Sequence, residues 1–160
     1  MIHRLAKLIV NTMKKNIFVK AIIIYLIFIS TSFSSQSNYF EEGIKLFNKE
    51  KFDDSKVFFE RDIVFNPKSE KSYLYLAKIF KEDDNDIETE INLENVLLLN
   101  PKNDEALYMF AILKIKQSDY NKAKKLIDQF NLTCKTFCSK KKEIEEKFSK
   151  LIPENEKVEN

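Results

Sequence analysis

The sequence predicts an all-α fold, a stack of three helix-turn-helix repeats closed by a C-terminal capping helix. Its 160 residues contain one Gly, three Pro and no Trp, whereas β-sandwiches, barrels and Gly-rich nucleotide-binding folds need many glycines for tight turns. Asn66-Pro67 and Asn100-Pro101 stand 34 residues apart, and each follows an apolar helical segment. The content of 44% hydrophobic and 32% charged residues fits a packed helical domain.

The N-terminal residues have the features of an export signal. Lysines precede an unbroken apolar run from Ile22 to Ile29, which has the length of a signal-peptide h-region. A membrane-spanning helix would need about 20 apolar residues. Small residues at Ser32 and Ser34 predict cleavage after Ser34, so we expect 1–34 to be a signal peptide, with translation starting at Met13. An uncleaved membrane anchor is the alternative.

Helix boundaries follow from the apolar spacing and from the turn residues between segments. The first helices of the repeats are predicted at 39–48, 70–81 and 104–116. The second helices are predicted at 53–65, 86–99 and 120–132. Pro ends a second helix because it lacks the N–H and disfavours helical geometry in the preceding residue. Ser69, Asn103 and Asp119 are the candidate N-caps.

Aligning the chain on the 34-residue period stacks residues of similar chemical type. Large apolar side chains three or four positions apart share one helical face, and a small residue recurs where a neighbouring helix must come close. The residues assigned to packing between helices are Tyr39, Gly43, Phe59, Pro67, Tyr73, Ala77, Phe80, Pro101, Ala111 and Ala123.

A further amphipathic segment follows the third repeat, at 139–152. Ile144, Phe148 and Leu151 share one face of it. We expect a capping helix here, because the end of a repeat stack needs a solvated outer face. Pro153 ends the segment, and 153–160 is predicted to be a disordered polar tail.

The aligned columns resemble the tetratricopeptide repeat (TPR) family, whose 34-residue pattern is W-x2-L-G-x2-Y, A-x3-F and P. The first copy has Tyr39-x2-Glu42-Gly43-x2-Leu46, Ser55-x3-Phe59 and Pro67. The second has Tyr73-x2-Leu76-Ala77-x2-Phe80, Thr89-x3-Leu93 and Pro101. The third has Leu107-x2-Phe110-Ala111-x2-Lys114 and Ala123-x3-Ile127, with Lys135 at the Pro position. The resemblance covers 36–134, in repeats 36–69, 70–103 and 104–134, and implies a right-handed α-solenoid.

The resemblance also implies a binding surface, because in this family the first helices of the repeats line a concave groove that holds partner peptides. The matching positions here are Phe40, Ile44, Phe47, Leu74, Lys78, Lys81, Tyr108, Ile112 and Ile115. This groove would be apolar at its ends and basic in the middle. Some family members clamp a C-terminal carboxylate with Lys, Asn and Arg, and the corresponding positions here are Phe40, Ile44, Tyr75, Glu105 and Met109.

Two readings of the groove therefore remain open. Its apolar residues could contact a partner, or Phe40, Ile44 and Phe47 could simply pack against a neighbouring element of the chain. Because the family's carboxylate-binding side chains are missing, we do not expect an adaptor for chaperone tails.

Cys134 and Cys138 are the only cysteines. Their C-x3-C spacing differs from the thioredoxin-like C-x-x-C motif, and two thiols without His make a poor zinc site. We expect a disulfide that staples the turn before the capping helix, which suits an oxidising compartment. A redox-active pair is the alternative.

The sequence offers little for catalysis. His3 is the only histidine and lies in the predicted signal peptide, so cleavage would leave no imidazole for a triad, a general base or a metal. Gly43 alone cannot form a phosphate-binding loop. The acidic run 82–86 lacks the Gly of a calcium-binding loop. We predict no enzyme activity, no cofactor and no metal site.

The net charge of the chain limits which partners we expect. Cleavage after Ser34 would change the formal net charge from +2 to −3, because the removed segment carries five basic and no acidic residues. This gives no electrostatic reason to expect nucleic-acid binding. We predict an exported scaffold, periplasmic or extracellular, that binds another protein or peptide and meets the membrane only through an uncleaved signal. A structural subunit of an envelope complex, or a self-assembling oligomer, is the alternative.

Overall fold

The computed structural model describes residues 38–151. The predicted signal peptide, the proposed start at Met13, the beginning of the first predicted repeat and the C-terminal tail lie outside the described residues. Within 38–151 all regular structure is helical, and no strand occurs.

Seven α-helices occupy the described residues, in three consecutive hairpins followed by a single helix. Their bounds are α1 Tyr39–Phe47, α2 Phe52–Phe65, α3 Glu70–Glu82, α4 Asp86–Leu99, α5 Asp104–Lys116, α6 Tyr120–Thr133 and α7 Lys141–Leu151. Each second helix also packs against the first helix of the next repeat, and α7 contacts both α5 and α6. The predicted all-α solenoid is therefore confirmed.

The capping helix begins later than the sequence predicts. Residues Cys138–Lys140 form a short 3-10 turn, and the α-helix starts at Lys141. Ile144 on its inner face is fully buried, whereas Leu151 is half exposed. None of the helices in the described range is both long and apolar enough to cross a membrane.

The core has two apolar clusters. One, around Phe59, Leu76 and Ile79, joins the first repeat to the second. The other takes its buried residues from α3 to α7 and includes Ala77, Ala111 and Ala123 from the predicted small-residue positions. Gly43 is buried too, and a Cβ on it would come within 2.7 Å of the Phe59 ring, so the absence of a side chain lets α1 and α2 approach.

The helix starts use two of the three predicted caps. The side chains of Asn103 and Asp119 accept hydrogen bonds from the N–H groups of Ala106 and Lys122, at 2.8 and 3.1 Å. Ser69 makes no such bond, so its assignment as a side-chain cap is wrong. Its hydroxyl instead donates to the Oγ of Ser72, at 2.9 Å, in the first turn of α3.

The turn within each repeat contains a non-glycine residue in the left-handed region. These residues are Glu50, Asp84 and Ser118, with φ of 57°, 52° and 60°. They stand 34 residues apart, so the same turn geometry recurs in every repeat. A side chain is strained at such φ values, and glycine is the residue that normally relieves the strain.

Replacing Ser118 by Gly should raise the free energy of unfolding by up to about 1 kcal/mol, because the strain of a left-handed residue with a Cβ disappears. Urea denaturation followed by circular dichroism measures the change. Ser118→Ala keeps the Cβ and should give no comparable gain. Equal stabilisation by Ala and Gly would contradict the strain argument.

Candidate functional site

The first helices of the repeats, α1, α3 and α5, carry the nine residues that the resemblance assigns to the groove, and we call this surface the A-helix face. Leu74 and Ile115 do not contribute to it. They are only 8% and 7% exposed and belong to the apolar cluster of α3 to α7. The sequence prediction is therefore wrong for these two residues. Other helices pack on both sides of α3 and α5, and they bury positions whose exposure the pattern of a single helix does not determine.

Aromatic rings dominate the A-helix face where the first two repeats meet. The rings of Phe40 and Phe47 lie edge-on to Tyr75, with centroids 5.9 and 4.9 Å away. Tyr75 in turn stacks on buried Phe59, at 5.0 Å. We call Phe40, Phe47, Phe59 and Tyr75 the aromatic corner. Contacts within the protein therefore bury part of the Phe40 and Phe47 side chains. The rest of both side chains remains accessible, as does part of Ile44.

Tyr75 is not among the nine residues assigned to the groove, although the resemblance places it where some family members clamp a carboxylate. Tyr75 directly follows Leu74 on α3. Only the structure shows that Leu74 points into the core while Tyr75 contacts α1. The signal that could have found it is the run of aromatic residues at Phe40, Phe47 and Tyr75 on consecutive first helices.

Two lysines of α3, Lys71 and Lys78, lie next to the aromatic corner, and a third, Lys81, lies further along the same helix. The Nζ of Lys78 is 4.7 Å from the Tyr75 ring centroid and 2.8 Å from Oε1 of Glu105, which ties α3 to α5. The Nζ of Lys71 is 5.8 Å from the Phe40 ring. Lys71 and Lys81 are exposed, and neither pairs with a carboxylate within 38–151. The middle of the face therefore carries accessible positive charge.

The third-repeat end of the face is closed by the capping segment. The hydroxyl of Tyr108 donates to Oε1 of Glu143 on α7, at 2.8 Å, and Lys140 lies 5.9 Å from the Tyr108 ring centroid. Burial, together with Glu143, raises the pKa of Tyr108 to about 12. Lys140, with Lys147 and Tyr108, lowers the pKa of Glu143 to about 2. Half-buried Ile112 also packs against the large cluster, so the accessible part of the face lies on α1 and α3.

Cys134 and Cys138 form a disulfide in the turn between α6 and α7, with their Cα atoms 5.4 Å apart. They do not lie on one continuous helix. The carboxylate of Asp104 holds the residues between them, since it accepts hydrogen bonds from the backbone N–H groups of Lys135 and Phe137 at 2.7 and 2.9 Å. It also accepts one from the N–H of Thr136, at 2.6 Å.

Asp104 also lies in the first turn of α5, where a negative charge favours the helix dipole. The 34-residue repeat could have indicated that Asp104 also binds the turn that closes its repeat. Glu70, which stands 34 residues earlier, accepts a hydrogen bond of 2.9 Å from the amide of Asn100 and another from Asn103, in the turn that ends its own repeat. In both repeats the acidic residue that starts the first helix binds the closing turn.

The acidic run at 82–86 faces a lysine. Asp84 and Asp86 lie 3.5 and 2.8 Å from the Nζ of Lys116, so their carboxylates join the start of α4 and the turn before it to α5. In the part of the chain that the structure describes, no three His, Cys, Asp or Glu side chains converge in a way that could hold a metal ion.

The fold is similar to that of solved TPR structures. The chain matches the structure titled "First TPR of Spaghetti (RPAP3) bound to HSP90 peptide SRMEEVD" with a TM-score of 0.63 and 15% identity, over 71% of this chain and 90% of that one. It matches a chain of the CopN–Scc3 complex with a TM-score of 0.62 and 17% identity, over 72% of this chain and 71% of that one. No family model and no curated protein matches the sequence. These likenesses establish the TPR fold.

Proposed function

We propose that this protein is a non-enzymatic, exported scaffold that binds a segment of another protein along the accessible part of the A-helix face. One observation carries the proposal: partly exposed rings of the aromatic corner lie beside the exposed ammonium group of Lys71, and a second exposed lysine, Lys81, lies further along the same helix. Apolar area supplies affinity to such a surface, and the charges select the partner.

The chemistry of the face defines the expected partner. Aromatic edges and faces favour an aliphatic or aromatic side chain, and lysines favour a carboxylate. The bound segment should therefore carry an acidic residue next to a large apolar one. The solved TPR named above is bound to an acidic peptide, SRMEEVD, which is a property of that protein and supports the general mode of binding here.

Export is supported by the charged and apolar N-terminal residues and by the cysteine pair. A disulfide persists in an oxidising compartment and is rare in the cytosol. The pair at Cys134 and Cys138 has bridging geometry and closes a turn at the end of the stack. Both observations favour a periplasmic or extracellular protein.

Selection from a random peptide library tests the binding proposal. Peptides that the full chain retains should combine acidic and apolar residues. By fluorescence polarisation they should bind a Lys71→Glu, Lys81→Glu double variant roughly tenfold or more weakly, since each reversed charge costs on the order of 1 kcal/mol at a partly exposed contact.

The matched control reverses Lys124 and Lys125, which are also exposed but lie on α6, a second helix that does not carry the A-helix face. It should bind the selected peptides like the wild type. Equal losses in both double variants, or no peptide enrichment at all, would refute the proposed site. A discrete oligomer by light scattering, with no peptide binding, would instead favour the structural subunit.

A further inference from the structure

The ends of the three second helices carry exposed aliphatic side chains at the repeat period. Val64, Leu98 and Leu132 stand 34 residues apart, and their exposed fractions are 74%, 79% and 87%. They are the three most exposed large apolar residues within 38–151, and Phe65 beside Val64 is exposed as well. Because the repeats stack in order, the C-terminal ends of α2, α4 and α6 lie along one edge of the solenoid.

An exposed lysine follows each of these aliphatic residues, in the next turn of the chain. Lys68 and Lys102 stand four residues after Val64 and Leu98, and Lys135 stands three after Leu132. None of the three pairs with a carboxylate in the part of the chain that the structure covers. We call these residues, with Phe65, the B-helix edge: Val64, Phe65, Lys68, Leu98, Lys102, Leu132 and Lys135.

Acidic side chains in the same turns do not offset the lysines at the surface. Glu70 is held by the side-chain amides of Asn100 and Asn103, and Asp104 by the backbone of the disulfide turn. Their carboxylates are turned towards hydrogen-bond donors of the protein. The exposed carboxylates of Glu60, Glu94 and Asp128 lie one helical turn, about 6 Å, before the aliphatic residues and so further from the closing turns. The closing turns thus present free ammonium groups beside the apolar tips, although the predicted mature chain is net acidic.

We propose that the B-helix edge docks on an anionic lipid surface. Apolar tips at three points would enter the interfacial region, and the adjacent lysines would contact headgroup phosphates. This combination of protruding apolar side chains with flanking Lys is what interfacial binding requires, since each Lys near an anionic surface adds about 1 kcal/mol. Long lysine side chains reach the headgroups while their stems stay against apolar surface.

The positive charge of the B-helix edge favours a lipid surface over a second copy of the chain as its binding partner. A symmetric contact between two such edges would bring Lys68, Lys102 and Lys135 of one copy against the same residues of the other, and like charges oppose that contact. An anionic lipid surface instead presents negative charge to each of the three lysines. The edge uses only second helices and closing turns, so the proposal is independent of the A-helix face.

Co-sedimentation of the full chain with phosphatidylcholine vesicles, with and without phosphatidylglycerol, tests the proposal. We expect binding that phosphatidylglycerol strengthens and added salt weakens, above the contribution that the N-terminal segment makes in every variant. A Lys68→Glu, Lys102→Glu, Lys135→Glu variant should partition at least about tenfold less. A Leu98→Ser, Leu132→Ser variant should lose severalfold. Every variant carries the same N-terminal segment, so the differences report on the edge.

Matched controls lie elsewhere on the same surface. Ile87, at the other end of α4, is 72% exposed, so Ile87→Ser removes a comparable apolar side chain away from the edge. Lys51→Glu, Lys124→Glu, Lys150→Glu changes the net charge by the same amount at exposed positions. Both controls should partition within about twofold of the wild type, because only charges close to the lipid contribute.

An environment-sensitive label provides a second measurement. A fluorophore on Leu98→Cys should shift to the blue with phosphatidylglycerol vesicles, and the same label on Ile87→Cys should not. Equal partitioning of the edge and control variants, or equal shifts at both labels, would overturn the proposal. So would a dimer that the edge substitutions dissociate while phosphatidylglycerol has no effect.

Discussion

Replacing Phe59 by Ala should lower the free energy of unfolding by about 3–5 kcal/mol, the usual cost of removing a fully buried phenyl ring. The ring has no exposed surface and stacks on Tyr75 across the boundary between the first two repeats. It also leaves no room beside Gly43, so the backbone of α1 packs directly on it. Its loss removes contacts from α1, α2 and α3 at once, and the neighbouring helices can fill the cavity only in part.

Phe65→Ala is the matched control for this prediction. It lies on the same helix but is 71% exposed, and its ring stacks on Tyr39 alone, at 5.4 Å, so its removal should cost no more than about 1 kcal/mol. Urea denaturation of the three proteins measures both effects. A loss for Phe59→Ala as small as that for Phe65→Ala would show that the first repeat does not depend on this ring.

Replacing Asp104 by Ala should cost about 2–3 kcal/mol, because three backbone N–H groups of the disulfide turn lose a charged acceptor. Lys135 and Thr136 are exposed, so water replaces part of what is lost and limits the cost. The capping helix depends on the orientation of this turn. We therefore expect amides of 141–151 to lose hydrogen-exchange protection more than those of α3.

The contribution of Asp104 should depend on pH in a defined direction. Burial raises the pKa of its carboxyl, but the hydrogen bonds from Phe137, Lys135 and Thr136 outweigh burial and hold the pKa well below its usual range. The stabilisation is then complete above the unfolded value of about 3.9 and is lost as the pH falls further. The stability difference between the wild type and Asp104→Ala should be constant near neutral pH and shrink below about pH 4.

Asp128→Ala serves as the control, since that carboxylate is exposed on α6 and binds no turn. It should change stability little at any pH. An Asp104→Ala difference that persisted unchanged in acid would mean that the carboxylate charge is not what holds the turn.

Local signals were enough to find the helices. Apolar spacing, the Asn-Pro turns and the polar caps act within a few residues, and α5, for example, begins and ends where the sequence places it, at Asp104 and Lys116. The errors arose where a cap or a start is decided by neighbours. Ser69 turns to Ser72, and the capping helix begins after a 3-10 turn in the segment that the disulfide closes.

The candidate site was predictable only in outline. The TPR register identified the helices of the A-helix face, yet Leu74 is buried while Tyr75 next to it forms the aromatic corner. The register also did not reveal that Glu143 of the capping helix binds Tyr108 and closes one end of the face. Such contacts depend on how the following helices pack, which the sequence of one helix does not encode.

The sequence by itself determined the repeat, its length and nearly all helix bounds to within one residue, because these depend on interactions within a turn or two of the chain. The tertiary structure decided which side chains meet across 20 or more residues. Lys114, in a column otherwise apolar, is 6% exposed because Glu90 of the preceding repeat pairs with it at 2.5 Å. Packing likewise left Leu98 and Leu132 in solvent, since burial is a property of the assembled stack.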